Sequence, residues 1–132
     1  MLATVEGNLA KQVSKGKMTE DERATVLSHI SITESLTDLA NCDLVIESIL
    51  EELTAKQALF AELDGIVKPS AILATNTSTL PVIKMAQATK RPDKVCGIHF
   101  FNPAVLMPLV EIVRPITASD ETITAATAFA TT

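Results

Sequence analysis

The sequence has no tryptophan and no tyrosine, and aromatic residues make up only 3% of it, so it offers no ladder of rings on which nucleobases could stack. It also lacks a basic stripe. A formal net charge of −5 works against any phosphate-backbone partner, and no nucleic-acid role is expected. No apolar run approaches the roughly 18–20 residues that cross a membrane. The stretch from Met1 to Glu6 has neither the basic start nor the long apolar core of a signal peptide. A cytoplasmic protein that does not engage membranes is expected. Cysteine is scarce. Cys42 and Cys96 stand far apart with no metal-ligating neighbours, and they read as free thiols in a reducing compartment, with no disulfide and no metal site. Glycine is scarce too: Gly7, Gly16, Gly65 and Gly97 are all there is, and no two lie close enough to form a phosphate-cradling turn.

What remains is enough for a core. The chain has 132 residues, of which 47% are hydrophobic and 20% charged, which bounds it to one domain or part of one. Val5, Leu9 and Val13 recur at helical spacing between Thr4 and Lys17, and Gly16 is a natural stop. Thr19 with Glu22 forms the sequence signature of a capping box, opening a short helix that ends near Leu27. His29 to Thr33 alternates polar and apolar residues and predicts a short strand, followed by a helical turn from Ser35 to Leu39.

The rest alternates regularly. Strands are predicted at 43–49, 71–75, 94–100 and 109–114. Helices are predicted at 53–66 and at about 80–88, with Pro81 in the first turn, and a last one opens near Ser119. Strands alternating with helices imply a parallel α/β sheet with right-handed crossovers, in which ligands sit beyond the carboxyl ends of the strands. Residues 47–52, 76–79 and 99–102 fall at those ends.

Three features there could carry chemistry. His99 ends an apolar strand; it is either a satisfied core histidine or a group that moves a proton near neutral pH. A histidine in the second role needs a partner that fixes its tautomer. Glu111, inside the apolar run 109–113, is the candidate, unless it merely faces solvent from an edge strand. The polar turn Asn76-Thr77-Ser78-Thr79 reads equally as a strand-to-helix connection capped by Ser78 or Thr79, or as a lining of the crevice.

Taken together, these segments resemble a known family. Asn76-Thr77-Ser78-Thr79-Leu80, Lys90-Arg91-Pro92-Asp93-Lys94-Val95, Gly97-Ile98-His99-Phe100-Phe101-Asn102-Pro103 and Met107-Pro108-Leu109-Val110-Glu111 are similar to the 3-hydroxyacyl-CoA dehydrogenases. Asp43 to Glu47, Glu51 and Lys56 also fit, so the resemblance covers essentially the whole chain. It implies a partial Rossmann-like, doubly wound and mainly parallel sheet lacking its first β-α-β unit. In the whole family that unit carries the glycine-rich turn, and a helical carboxy-terminal domain follows the nucleotide-binding domain. Residues 1–132 would thus be an interior slice, an incomplete NAD-binding domain.

The resemblance further implies that His99 is the general base acting on the 3-hydroxyl of an acyl-CoA and that Glu111 supports it. Ser78 would hydrogen-bond the reacting oxygen, and Asn102 would help to position the same group. Glu51, Lys56 and Asn76 would meet NAD, and Asn8 and Lys15 would meet the coenzyme A moiety. Without the first strand, residues 43–49 should present an open apolar edge, and a homodimer or higher oligomer closing that edge is expected. The isolated chain is expected to bind NAD weakly and to be inactive or weakly active. A non-catalytic binding or structural module on the same scaffold is the alternative.

Overall fold

A computed structural model of the chain describes residues 2–104 and 106–131. It divides into two compact units, 1–34 and 35–132. In the first unit, α1 (Leu2–Ser14) is stopped by Gly16. This residue takes a φ of 66°, and the Lys17 amide donates to the Gln12 carbonyl at 3.0 Å while the Gly16 amide donates to that of Val13 at 2.9 Å. That left-handed closure satisfies carbonyls the helix leaves open and suits glycine, which has no Cβ to clash. Thr19 and Glu22 form the reciprocal capping box, and α2 (Glu20–Ser28) follows it.

The strand predicted at His29–Thr33 does not form. Alternation alone cannot make a strand, because each backbone edge needs a neighbour to bond with. The only sheet among the described residues lies in the second unit, and this segment is not part of it. Ile32 is left 66% exposed.

In the second unit a short 3₁₀ helix (Leu36–Leu39) leads into β1 (Leu44–Glu47), α3 (Leu53–Ile66), β2 (Ile72–Thr75) and α4 (Val82–Ala86). A second 3₁₀ turn (Pro92–Lys94), β3 (Val95–Phe100), β4 (Val110–Val113) and α5 (Asp120–Ala130) complete it. The strands are ordered β1-β2-β3-β4; the first three are parallel, and β4 runs antiparallel to β3. The mainly parallel sheet is therefore as expected, closed on one side by a reversed strand. At the other side β1 is an edge among the described residues.

Alternating side chains divide the core into two layers. Leu73 and Val95 join Phe60, Leu63, Val82 and Met85 under α3 and α4. Ala74, Cys96 and Ile98 join Ala126 and Ile123 under α5. Both cysteines are free, and burial pushes the Cys96 thiol up to about 11. Helices α3 and α5 begin where side chains satisfy their first amides: Glu52 accepts from Thr54 and Ala55, and Ser119 from Thr122. Arg91 fastens the base of the sheet by donating to the Asp64 carboxylate and to the carbonyls of Asp64 and Lys68. It also lines a shallow cleft with Asp64, Pro69 and Lys90, at the amino-terminal ends of β2 and β3. No helix among the described residues is long and apolar enough to cross a membrane.

Candidate active site

Because β1, β2 and β3 are parallel, their carboxyl ends gather Glu47, Thr75 and His99 at one end of the sheet. By strand alternation all three point to the α3/α4 face. The reversal at β4 then brings a fourth residue back to the same place. His99 and Glu111 are partners in the β3–β4 register, so their side chains stand side by side on one face. The Glu111 Oε2 lies 3.0 Å from the His99 Nδ1. A carboxylate offers no hydrogen, so in the neutral ring Nδ1 carries the proton and Nε2 keeps its lone pair. That lone pair faces Ser78, whose Oγ is 3.1 Å away. The Phe101 ring packs against the imidazole at 4.8 Å between centroids. The His99 side chain is 14% exposed and that of Glu111 54%, so the ring is walled in but reachable.

Ser78 is placed by the turn that holds it. Asn76 donates to the Ser48 Oγ at 3.1 Å and accepts from the Phe100 amide at 2.8 Å, tying the ends of β1, β2 and β3 together. Neither Ser78 nor Thr79 caps the following helix. Pro81 occupies the position before Val82, and the hydroxyl that closes the turn belongs to Thr77, which accepts from the Leu80 amide at 2.9 Å. The same Thr77 hydroxyl donates to Glu51 Oε1, and the Ser78 amide donates to that oxygen at 3.1 Å. The Thr77 hydroxyl, followed by Lys56 and the Ser78 amide, holds the Glu51 carboxyl below its usual value.

Lys56 is buried and paired. Its side chain is 1% exposed, with the ammonium 2.5 Å from Glu47 Oε1 and 3.2 Å from Glu51 Oε2. Glu47, also 1% exposed, further accepts from the Thr75 hydroxyl at 2.7 Å and the Ile49 amide at 2.6 Å. Sequence pattern gives Glu47, Thr75 and Thr77 no individual role. A signal for the first was present: Lys56 lies on the same α3 stripe as Phe60 and Leu63, and a lysine on an apolar stripe demands an acidic partner.

The structure joins Ser78, His99 and Glu111 directly, and brings Asn76 and Glu51 to the same turn. Asn102 is exposed in the bend beyond β3; among the described residues its side chain makes no hydrogen bond to His99, Ser78 or Glu111. Asn8 lies in α1 and Lys15 in the turn after it, both within the first unit. Among the described residues, no group of three or more His, Cys, Asp or Glu side chains is placed to hold a metal ion.

Comparison with known proteins gives this geometry a family. Residues 1–132 match the model of the NAD-binding domain of 3-hydroxyacyl-CoA dehydrogenase. A 3-hydroxybutyryl-CoA dehydrogenase of Bradyrhizobium diazoefficiens is 47% identical over 128 residues, covering 97% of this chain and 44% of that protein. A fatty acid oxidation complex subunit alpha of Pseudomonas paraeruginosa is 44% identical over 122 residues, covering 92% of this chain and 17% of that one. The crystal structure of (S)-3-hydroxybutyryl-CoA dehydrogenase from Ralstonia eutropha superposes with a TM-score of 0.95 at 38% identity, over 98% of this chain and 46% of that one. The chain thus spans less than half the length of these relatives. Within that span, sequence and structure agree that it belongs to the 3-hydroxyacyl-CoA dehydrogenase NAD-binding domain family.

Proposed function

We propose that this chain supplies the proton-handling part of an NAD-dependent 3-hydroxyacyl-CoA dehydrogenase. The observation that carries the proposal is the imidazole of His99 held between the Glu111 carboxylate and the Ser78 hydroxyl at the carboxyl ends of the strands. In oxidation, Nε2 of His99 takes the proton of the substrate's 3-hydroxyl, and Glu111 stabilises the imidazolium that results. Ser78 donates a hydrogen bond to the reacting oxygen once substrate displaces the ring from its hydroxyl. Asn102, from the bend after β3, helps to position the same group. NAD, when bound, would supply the hydride-accepting chemistry.

The donor set fits one end of that cofactor. Asn76 and the Glu51 carboxylate offer polar contacts suited to a nicotinamide ribose, with Lys56 behind Glu51. The four glycines of residues 1–132 include no phosphate-cradling pair, so no pyrophosphate contact is assigned to them. Proton handling and the nicotinamide end of NAD are assigned to the second unit, residues 35–132. Asn8 and Lys15 are assigned to coenzyme A.

The test is NADH oxidation driven by acetoacetyl-CoA, followed by absorbance, for the chain and for His99→Ala. Turnover that disappears in the variant supports the proposal, and equal turnover in both refutes the role of His99. A second reading is a non-catalytic module on the same scaffold, and absence of turnover in either protein selects it. We further propose that the open side of β1 pairs with a second copy, giving a homodimer or higher oligomer. Light scattering at micromolar concentration that returns a monomeric mass overturns this.

A further inference from the structure

Behind the reacting groups lies a buried carboxylate that proton transfer does not use. Glu47 ends β1, and its acceptor positions are filled from within by Thr75, Ile49 and Lys56. The ammonium of Lys56 reaches from Glu47 to Glu51 Oε2, and the other oxygen of Glu51 holds the Thr77 hydroxyl and the Ser78 amide. The Ser78 Oγ in turn meets the Nε2 of His99. An unbroken line of polar contacts thus runs from the core at Glu47 to the ring of His99, through β1, α3 and the turn before α4.

Each link depends on the one before it. The turn at 76–79 leads into a helix of only five residues whose N-cap position is a proline with no side chain to offer, so local structure fixes Ser78 weakly. What anchors the Ser78 amide is Glu51. That residue sits outside any helix or strand with its side chain 42% exposed, and it would sample several rotamers if its second oxygen were free. Lys56 occupies that oxygen. Lys56 is itself a long, flexible side chain, and it is aimed by the fully buried Glu47. A buried ion pair is a poor device for stability when apolar residues of the same volume serve as well or better, and its best-attested use is to fix geometry.

We propose that Glu47 is a positioning residue that acts through Lys56 and Glu51 to set the Ser78 hydroxyl against Nε2 of His99. This deepens the dehydrogenase reading and rests on it for the importance of the Ser78–His99 contact. It predicts that disturbing Glu47 changes the hydrogen bond at Nε2 while leaving the Nδ1–Glu111 bond alone, although no atom of Glu47 touches the ring.

The experiment is nitrogen-15 NMR of the imidazole nitrogens in the full chain at about pH 8, above the usual imidazole range. His29, the only other histidine, is identified by His29→Gln. Ser78→Ala should displace the Nε2 resonance of His99 and leave Nδ1 in place. Glu47→Gln should displace Nε2 in the same direction, and the Glu47→Gln/Ser78→Ala double variant should match Ser78→Ala alone. If Ser78→Ala moves Nε2 and Glu47→Gln does not, or if the two displacements add, the positioning role is overturned while the dehydrogenase reading stands. If Ser78→Ala itself leaves Nε2 unmoved, the Ser78–His99 contact does not exist in solution, and both proposals lose it. Should Glu47→Gln fail to fold, Glu51→Gln cuts the same line at a half-exposed position; it is expected to give the Ser78→Ala displacement, and a silent Nε2 there refutes the proposal equally.

Discussion

Replacing Lys56 with methionine should destabilise the second unit out of proportion to the loss of one ion pair. Whether the Lys56–Glu47 pair behaves as a surface or a buried pair decides the size of the effect. Exposed pairs contribute about 0–1 kcal/mol, because water solvates each partner once they separate. Here both side chains are 1% exposed, so water cannot replace the ammonium. The Glu47 carboxylate would keep only the Thr75 hydroxyl and the Ile49 amide, with no positive charge beside it. Breaking such a pair from one side costs about 3–5 kcal/mol. With a urea slope of about 2 kcal/mol per molar, the unfolding midpoint should fall by roughly 2 M. The double variant Glu47→Gln/Lys56→Met removes the stranded charge and should recover at least half of that loss. Urea titration followed by circular dichroism reads both quantities. A cost below about 1 kcal/mol for Lys56→Met, or a double variant whose loss equals the sum of the single losses, would refute the reasoning.

Two further predictions concern neighbouring features. A Cβ added at Gly97 would stand 2.8 Å from the Val113 Cβ and 3.3 Å from the Val82 Cγ2, so Gly97→Ala should cost about 1–3 kcal/mol and lower the melting temperature by about 4–8 °C for each kcal/mol; an unchanged melt contradicts the close packing of β3 against β4. Glu51 has its carboxyl lowered from the ordinary value of 4.5 by the Thr77 hydroxyl, so its stabilising contribution is present above pH 4.5 and fades as pH falls through the lowered value. Thermal melts of the parent and of Glu51→Gln should therefore differ at neutral pH and converge in acid, and a gap that widens in acid has the wrong sign.

Much of this architecture was legible in the sequence, for identifiable reasons. The apolar runs at 44–46 and 95–98 read as strands, the first with the pattern of a parallel strand covered on both faces, and Thr19 with Glu22 and Ser119 with Thr122 marked helix starts by chemistry rather than by periodicity. Glycine at 16 stopped α1 where expected. The failure at 29–33 has the opposite origin: an alternating segment becomes a strand only beside a partner, and partners are not written in local pattern. Glu111 could be named as a candidate partner for His99, but their meeting depends on β4 reversing direction and on a register that sets them opposite each other, which the eleven intervening residues do not reveal. The same holds for Glu47 and Lys56. Nine residues apart, they are joined only because α3 folds back over the end of β1. Thr77 was one of four polar residues in the turn 76–79, where the pattern pointed to Ser78 or Thr79 as the cap.

The central claim is that His99, Ser78 and Glu111 act as one proton-handling unit, and a kinetic cycle tests it most directly. NADH oxidation by acetoacetyl-CoA would be measured for the chain, His99→Ala, Ser78→Ala and the double variant. Removing the base should lower the rate by about 10²–10⁴-fold, and adding Ser78→Ala to it should cost little more, because groups that work as a unit are lost together. A His99→Ala chain as fast as its parent, or single losses that multiply in the double variant, would contradict it.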